Sequence, residues 1–122
     1  GNIIIHLVGD YVWGAVMEGE QQRCYFVGDW LIKEGREEEF LDAWADFAQW
    51  TLEQKFADKT IELFQDVAEP RRFYALWRCG PERSIEDWTK QTRYKEFVMQ
   101  MRAFCDRCTP TIAQPVREVR KP

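Results

Sequence analysis

The stretch FVGDWLIKEGREEEFLDAW (residues 26–44) contains two periodicities in direct succession. Phe26, Gly28, Trp30 and Ile32 alternate with Val27, Asp29, Leu31 and Lys33, the period of a β-strand. After Glu34-Gly35 the pattern changes: Phe40, Leu41, Trp44, Phe47, Ala48 and Thr51 keep the 3-and-4 spacing of one buried helical stripe. Glu37, Glu38 and Glu39 open that helix, where carboxylates favour the positive end of its dipole. They read as a solvated helix start, not a metal cluster. A strand over 24–33 followed by a helix over 36–54 is therefore expected.

Working outward, 61–67 and 72–79 are two β-rich runs around Glu69-Pro70-Arg71, a hairpin. Gly80-Pro81 ends the second run. Ser84 then caps a helix, with Asp87 three residues on as its partner. The stripe Ile85, Trp88, Tyr94, Phe97, Val98, Met101, Phe104, Cys105 loses phase near Gln91-Thr92, which predicts a kink or break there. A last strand is expected over 112–119. Pro115 inside it calls for a sheet edge. The order β-α-β-β-α-β is the split βαβ, or ferredoxin-like, α+β arrangement with an antiparallel sheet. Upstream, residues 2–8 and 11–18 around Gly9-Asp10 read as a β-hairpin with a type II′ turn, and 18–22 as a polar linker. The expected division is an N-terminal hairpin extension, 1–22, and one domain, 23–122.

Composition narrows the function classes. The chain has 122 residues, 45% hydrophobic and 15% aromatic, with six Trp and eight Phe. So many rings exceed what a small core easily hides, so a ligand pocket, a self-association surface or both are implied. A net charge of −4, with Lys and Arg dispersed, argues against nucleic-acid binding. No apolar run approaches the roughly 18–20 residues that cross a bilayer, and the N-terminus lacks the cationic flank of a signal peptide. Four scattered cysteines, Cys24, Cys79, Cys105 and Cys108, read by default as reduced thiols of a cytoplasmic protein. Cys105-Asp-Arg-Cys108 falls late in the expected helix, as two small core residues, and no spacing of Cys or His suggests a metal site.

FVGDWLIKEG with REEEFLDAW, IELFQD, RRFYALWRCG and SIEDWTKQTRYKEF together resemble the antibiotic biosynthesis monooxygenase family of dimeric α+β barrels. The resemblance runs over about 24–119 and implies a homodimer packed sheet to sheet, with a hydrophobic cleft between each sheet and its helices. It also implies a small hydrophobic or aromatic ligand and, among quinol monooxygenases and aromatic-polyketide oxygenases, no metal or flavin cofactor. The heme-degrading branch fits poorly. Ser84, Trp88, Tyr94, Lys95 and Trp77 match it, but Val98 stands where its ligating His belongs and Gly28 where its strand Asn belongs. In the quinol-oxidising branch a His is common where this chain has Trp88.

On that footing Trp30, Trp44, Phe73, Trp77 and Trp88 are the candidates for walls of a substrate site, with core packing as the alternative. Tyr94, near the helix irregularity, could donate to a bound oxygen, or simply pack. Asp29, the one carboxylate in the middle of an apolar strand, has two readings. Facing the cleft it would be a general base with a burial-raised pKa. Its parity is opposite to Trp30, however, which favours an ion pair with Arg78 at the dimer interface. The function expected is cofactor-independent oxygenation of a small aromatic phenol or hydroquinone. The alternatives are a non-catalytic dimer that binds a hydrophobic metabolite, and an isomerase or lyase of the same fold.

Overall fold

The computed structural model describes the backbone of residues 3–8 and 11–17 and the whole of residues 24–122. Two strands, β1 (Ile3–Val8) and β2 (Tyr11–Met17), pair antiparallel as a separate two-stranded sheet. The expected hairpin is therefore present, while its Gly9-Asp10 turn and the 18–22 linker lie outside the described residues. The remaining elements are β3 (Tyr25–Ile32), α1 (Glu37–Glu53), β4 (Glu62–Gln65), β5 (Arg72–Arg78), α2 (Ile85–Lys90), α3 (Thr92–Phe104) and β6 (Cys105–Ala113). The second sheet is antiparallel in the order β4-β5-β3-β6, the ferredoxin-like arrangement the sequence predicts.

Strand parity decides which face meets the helices. Phe26, Gly28, Trp30 and Ile32 of β3 are buried, as are Phe73, Ala75 and Trp77 of β5, and their neighbours in sequence are more exposed. Onto this face α1 lays Phe40, Phe47, Ala48 and Thr51, while α2 and α3 add Trp88, Phe97 and Met101. Phe40, with no exposed surface, packs against Trp30 and Phe73 at ring distances of 5.5 and 5.2 Å. Truncating such a ring to alanine costs about 3–5 kcal/mol.

The local signals that set the element ends are the anticipated ones. Gly35 takes φ +85°, a left-handed conformation that L side chains rarely adopt, at the turn into α1. The Ser84 hydroxyl accepts from the Asp87 N–H at 3.1 Å and starts α2. Gln91 then drops out of helical conformation (ψ 141°) and separates α2 from α3, the break that the lost phase foretold.

The C-terminal third departs from expectation. The helix stops at Phe104, whose carbonyl accepts from Lys33 N–H at 2.8 Å, and the chain becomes β6 seven residues earlier than the expected 112–119. Pro110 favours an extended residue before it, and a register irregularity opposite Leu31 and Ile32 lets both Cys105 and Cys108 lie across from inward residues. Cys105-Asp-Arg-Cys108 is thus strand rather than helix. Pro115 lies beyond β6, and Pro110 is the proline that the edge strand accommodates.

A second correction concerns the thiols. Cys24 and Cys79 form a disulfide with 5.5 Å between their Cα atoms, although 55 residues separate them in sequence. Pairing of β3 with β5 brings them together: Tyr25 lies opposite Arg78, and Cys79 N–H donates to Cys24 C=O at 2.9 Å. The bond withdraws the argument that scattered reduced thiols place the chain in the cytoplasm. No helix among the described residues is long and apolar enough to cross a membrane.

Thiol counting on unfolded protein provides the check. Two of the four cysteines should react without reductant and all four with it. Cys79→Ser should lower stability by roughly 2–4 kcal/mol, the usual effect of removing a cross-link that closes a loop of this length. Four reactive thiols in unreduced protein would show that the bond does not form.

Candidate functional site

Between the sheet and the helices lies a cavity of about 240 Å³. Its floor is the inner sheet face: Phe26 and Trp30 from β3, Trp77 from β5, and Cys108 and Pro110 from β6. Side chains of α1 (Trp44, Phe47, Ala48, Thr51) and of α2 and α3 (Trp88, Tyr94, Phe97, Met101) wall it in. Gly28 shapes this floor. A Cβ there would overlap the Trp30 indole, so only glycine lets that ring lie back along its own strand.

The rings hold one another in place. Trp88 meets Trp77 edge to face at 5.2 Å and 84°, and lies 4.5 Å from Tyr94. Phe47 stacks on Phe97 at 4.0 Å and 8°. The Trp88 indole N–H donates to the Thr51 hydroxyl at 3.2 Å, and that hydroxyl donates to the Phe47 carbonyl at 2.9 Å. Thr51 is 1% exposed, so this relay satisfies polar groups that would otherwise cost about 1–3 kcal/mol each to bury. Its helical spacing marks Thr51 as a core position, but only the tertiary contact reveals it as the anchor of Trp88.

Of the predicted wall residues, Trp30, Trp44, Trp77 and Trp88 line the cavity together with Tyr94. Phe73 does not. It is buried beside Phe40, opposite Trp30 in the register, and serves the core there. Burial pushes the Tyr94 phenol above its usual pKa, with the neighbouring Cys108 adding to the effect, so Tyr94 stays a neutral donor at physiological pH. Cys105 is pushed up to about 12, chiefly by burial. Cys108 is exposed as a residue, yet desolvation of its thiol beside the cavity raises it, partly opposed by a hydrogen bond from Trp30 and by the charges of Arg102 and Arg107. Neither thiol is poised as a thiolate. Among the described residues no group of three or more His, Cys, Asp and Glu is placed to hold a metal ion.

Asp29 lies on the opposite face of the sheet, away from the cavity. Arg72 grips it through two nitrogens, at 3.0 and 3.3 Å, and Arg107 adds a contact at 3.3 Å. The condition for a general base, facing the cleft, is not met, and the ion-pair reading is the one realised. Its partners differ from expectation: Arg78 lies opposite Tyr25, four residues along the strand, and pairs with Asp58 at 3.8 Å. The Arg72 hydrogen bond is the largest influence on the Asp29 carboxyl and, with Arg107, holds it below the usual carboxylate range despite some burial.

No family model matches this sequence, and no curated protein matches it either. Solved structures do match its fold. A conserved protein from Methanosarcina mazei superposes with TM-score 0.68 at 15% identity, over 79% of this chain and 95% of that one. An antibiotic biosynthesis monooxygenase, so described, from Bordetella bronchiseptica gives TM-score 0.62 at 14% identity, over 78% and 98%. SnoaB, a cofactor-independent oxygenase from Streptomyces nogalater, gives 0.66 at 13% identity, over 81% and 98%. The chain therefore has the α+β fold of the antibiotic biosynthesis monooxygenases, as the residues at 24–119 suggested.

The Asp29 assignment has a pH signature. A carboxyl whose folded pKa is depressed contributes its full stability above the unfolded value of about 3.9, and loses it as pH falls through the lower folded value. Asp29→Asn should lower the melting temperature by a few degrees at neutral pH, since the pair is partly exposed. The gap to wild type should close as pH falls below the unfolded value and through the lower folded one. A gap that persists there would assign the loss to something other than the ion pair.

Proposed function

We propose that this chain is a cofactor-independent oxygenase that binds a small phenol or hydroquinone in the aromatic cavity and works as a homodimer. The observation that carries the reading is a cavity walled by Trp30, Trp77 and Trp88, with the Tyr94 phenol among its lining groups. At about 240 Å³ it falls just under the roughly 300–1,000 Å³ of drug-sized ligand sites, which suits a ligand of one or two rings. The shared fold with SnoaB, described as a cofactor-independent oxygenase, adds support by analogy.

The chemistry asked of the protein is modest. An electron-rich phenolate reduces dioxygen directly. For a hydroquinone, one atom of O₂ ends on a ring carbon, the other leaves as water, and the product is a hydroxyquinone. The indoles align the ring and keep bulk water from it, which raises the value of each polar contact inside. Tyr94, held neutral by burial, donates to the substrate oxygen and orients it. With Asp29 on the far face, the substrate proton passes to solvent at the cavity mouth.

The dimer is proposed from the other side of the sheet. There Phe64, Tyr74 and Leu76 are 41%, 36% and 51% exposed on adjacent strands, next to the Asp29–Arg72–Arg107 cluster. A second copy laid on this face would cover the apolar patch, and the charges it takes from solvent balance once Asp66, paired with Arg72, is included.

One observation favours a second reading, a non-catalytic binding protein: among the described residues no carboxylate or imidazole lines the cavity to take a proton. The two separate experimentally. With a panel of hydroquinones, oxygen uptake above the uncatalysed rate, reduced at least ten-fold in Trp88→Ala, supports the oxygenase. Saturable ligand binding with no uptake assigns the binding protein. Light scattering should report a dimer that Leu76→Arg converts to monomer. A wild-type monomer at micromolar concentration would remove the sheet-to-sheet assembly.

A further inference from the structure

Among the described side chains that line the cavity, Arg102 alone carries a formal charge. It follows the buried Met101 on α3 and is exposed, so its guanidinium marks where the cavity opens to solvent. Its situation differs from that of its fellows. Arg36, Arg71, Arg72, Arg83, Arg93 and Arg107 each hold a carboxylate within 3.3 Å. Arg102 has no carboxylate partner among the described residues. Its charge reaches Cys108, and Cys108 in turn bears on Tyr94. Arg102, Cys108 and Tyr94, with the Thr51 hydroxyl already engaged by Trp88 and Phe47, are the polar side chains of a cavity otherwise lined by rings and aliphatic groups.

We infer that the cavity's ligand is an aromatic acid, its ring among Trp30, Trp77 and Trp88 and its carboxylate on Arg102. The inference rests on the cavity being a ligand site. A guanidinium presents a planar fork of donors that matches a carboxylate through two parallel hydrogen bonds, a fit that a neutral hydroxyl cannot reproduce. At the exposed mouth the attraction is that of a partly screened ion pair, and among the described residues no protein carboxylate competes for it. An anion is thus favoured at the mouth, while the tryptophans accept any flat ring. For the proposed oxygenase the substrate class narrows to phenols or hydroquinones that carry a carboxylate, with Arg102 fixing which end of the ring faces Tyr94.

Two probes of equal size separate charge from shape: 2-naphthoate and the neutral 2-naphthalenemethanol, titrated by calorimetry at neutral pH. Wild-type protein should bind naphthoate roughly two- to five-fold more tightly, the range of a partly exposed ion pair. Arg102→Gln should erase that preference and leave naphthalenemethanol binding unchanged. Arg102→Lys should retain part of it. Equal affinity for both probes, or a preference that survives Arg102→Gln, overturns the anion inference and leaves the cavity as a ligand site. If neither probe binds, the cavity reading itself falls and this inference with it.

Discussion

Across the middle of the sheet Gly28 lies opposite Ala75 on one side and Pro110 on the other, a strip of small groups between two rows of rings. Phe26 with Trp77 forms one row, and Trp30 with Phe73 the other. Side chains alternate strictly across a strand, so this strip faces the helices together with the rows. The helices rest on the rings, and the gap over the strip is taken up only in part, by the Trp30 indole lying back on Gly28. The cavity is thus a consequence of side-chain size along two paired strands. Filling Gly28 would displace Trp30 and disturb core and cavity together.

The same parity sorts polar groups by role. On the helix side, the buried Thr51 hydroxyl serves Trp88 and the Phe47 carbonyl at once. On the other side, charges gather into a network in which Arg72 bridges Asp29 and Asp66. Asp29 is held there by ion pairs, on the face away from the cavity. Among the described residues, the polar side chains lining the cavity are the Tyr94 phenol, the Cys108 thiol, the Thr51 hydroxyl and the Arg102 guanidinium. That set suits a flat ring and includes no carboxylate.

Much of this was legible in the sequence because the relevant signals are local. Alternation in 26–32 and 72–78 sorted the residues into two faces, the 3-and-4 stripe found α1, and Ser84 with Asp87 located the start of α2. Which face meets the helices came only from the family resemblance, and four of the five residues it named as walls line the cavity. What escaped depends on register, which no single segment contains. Cys24 meets Cys79 only once β3 and β5 are paired. Asp29 finds Arg72 and Arg107 rather than Arg78 because of the offset between three strands. The apolar stripe of α3 ran on into Cys105 because an inward-facing strand residue and a buried helical one look alike over a single position. Arg102 drew no notice, since one cation on a helix surface has no pattern in sequence.

Pro110 has a consequence for how copies of this chain can meet. β6 forms one edge of the sheet, and an edge strand ordinarily offers a row of free N–H and C=O groups on which another strand can template. A proline in such a strand is tolerated where its missing donor faces outward, which interrupts that row near its middle. Growth of the sheet by lateral addition is thereby blocked along this border. Open-ended fibre growth through β6 is disfavoured for the same reason.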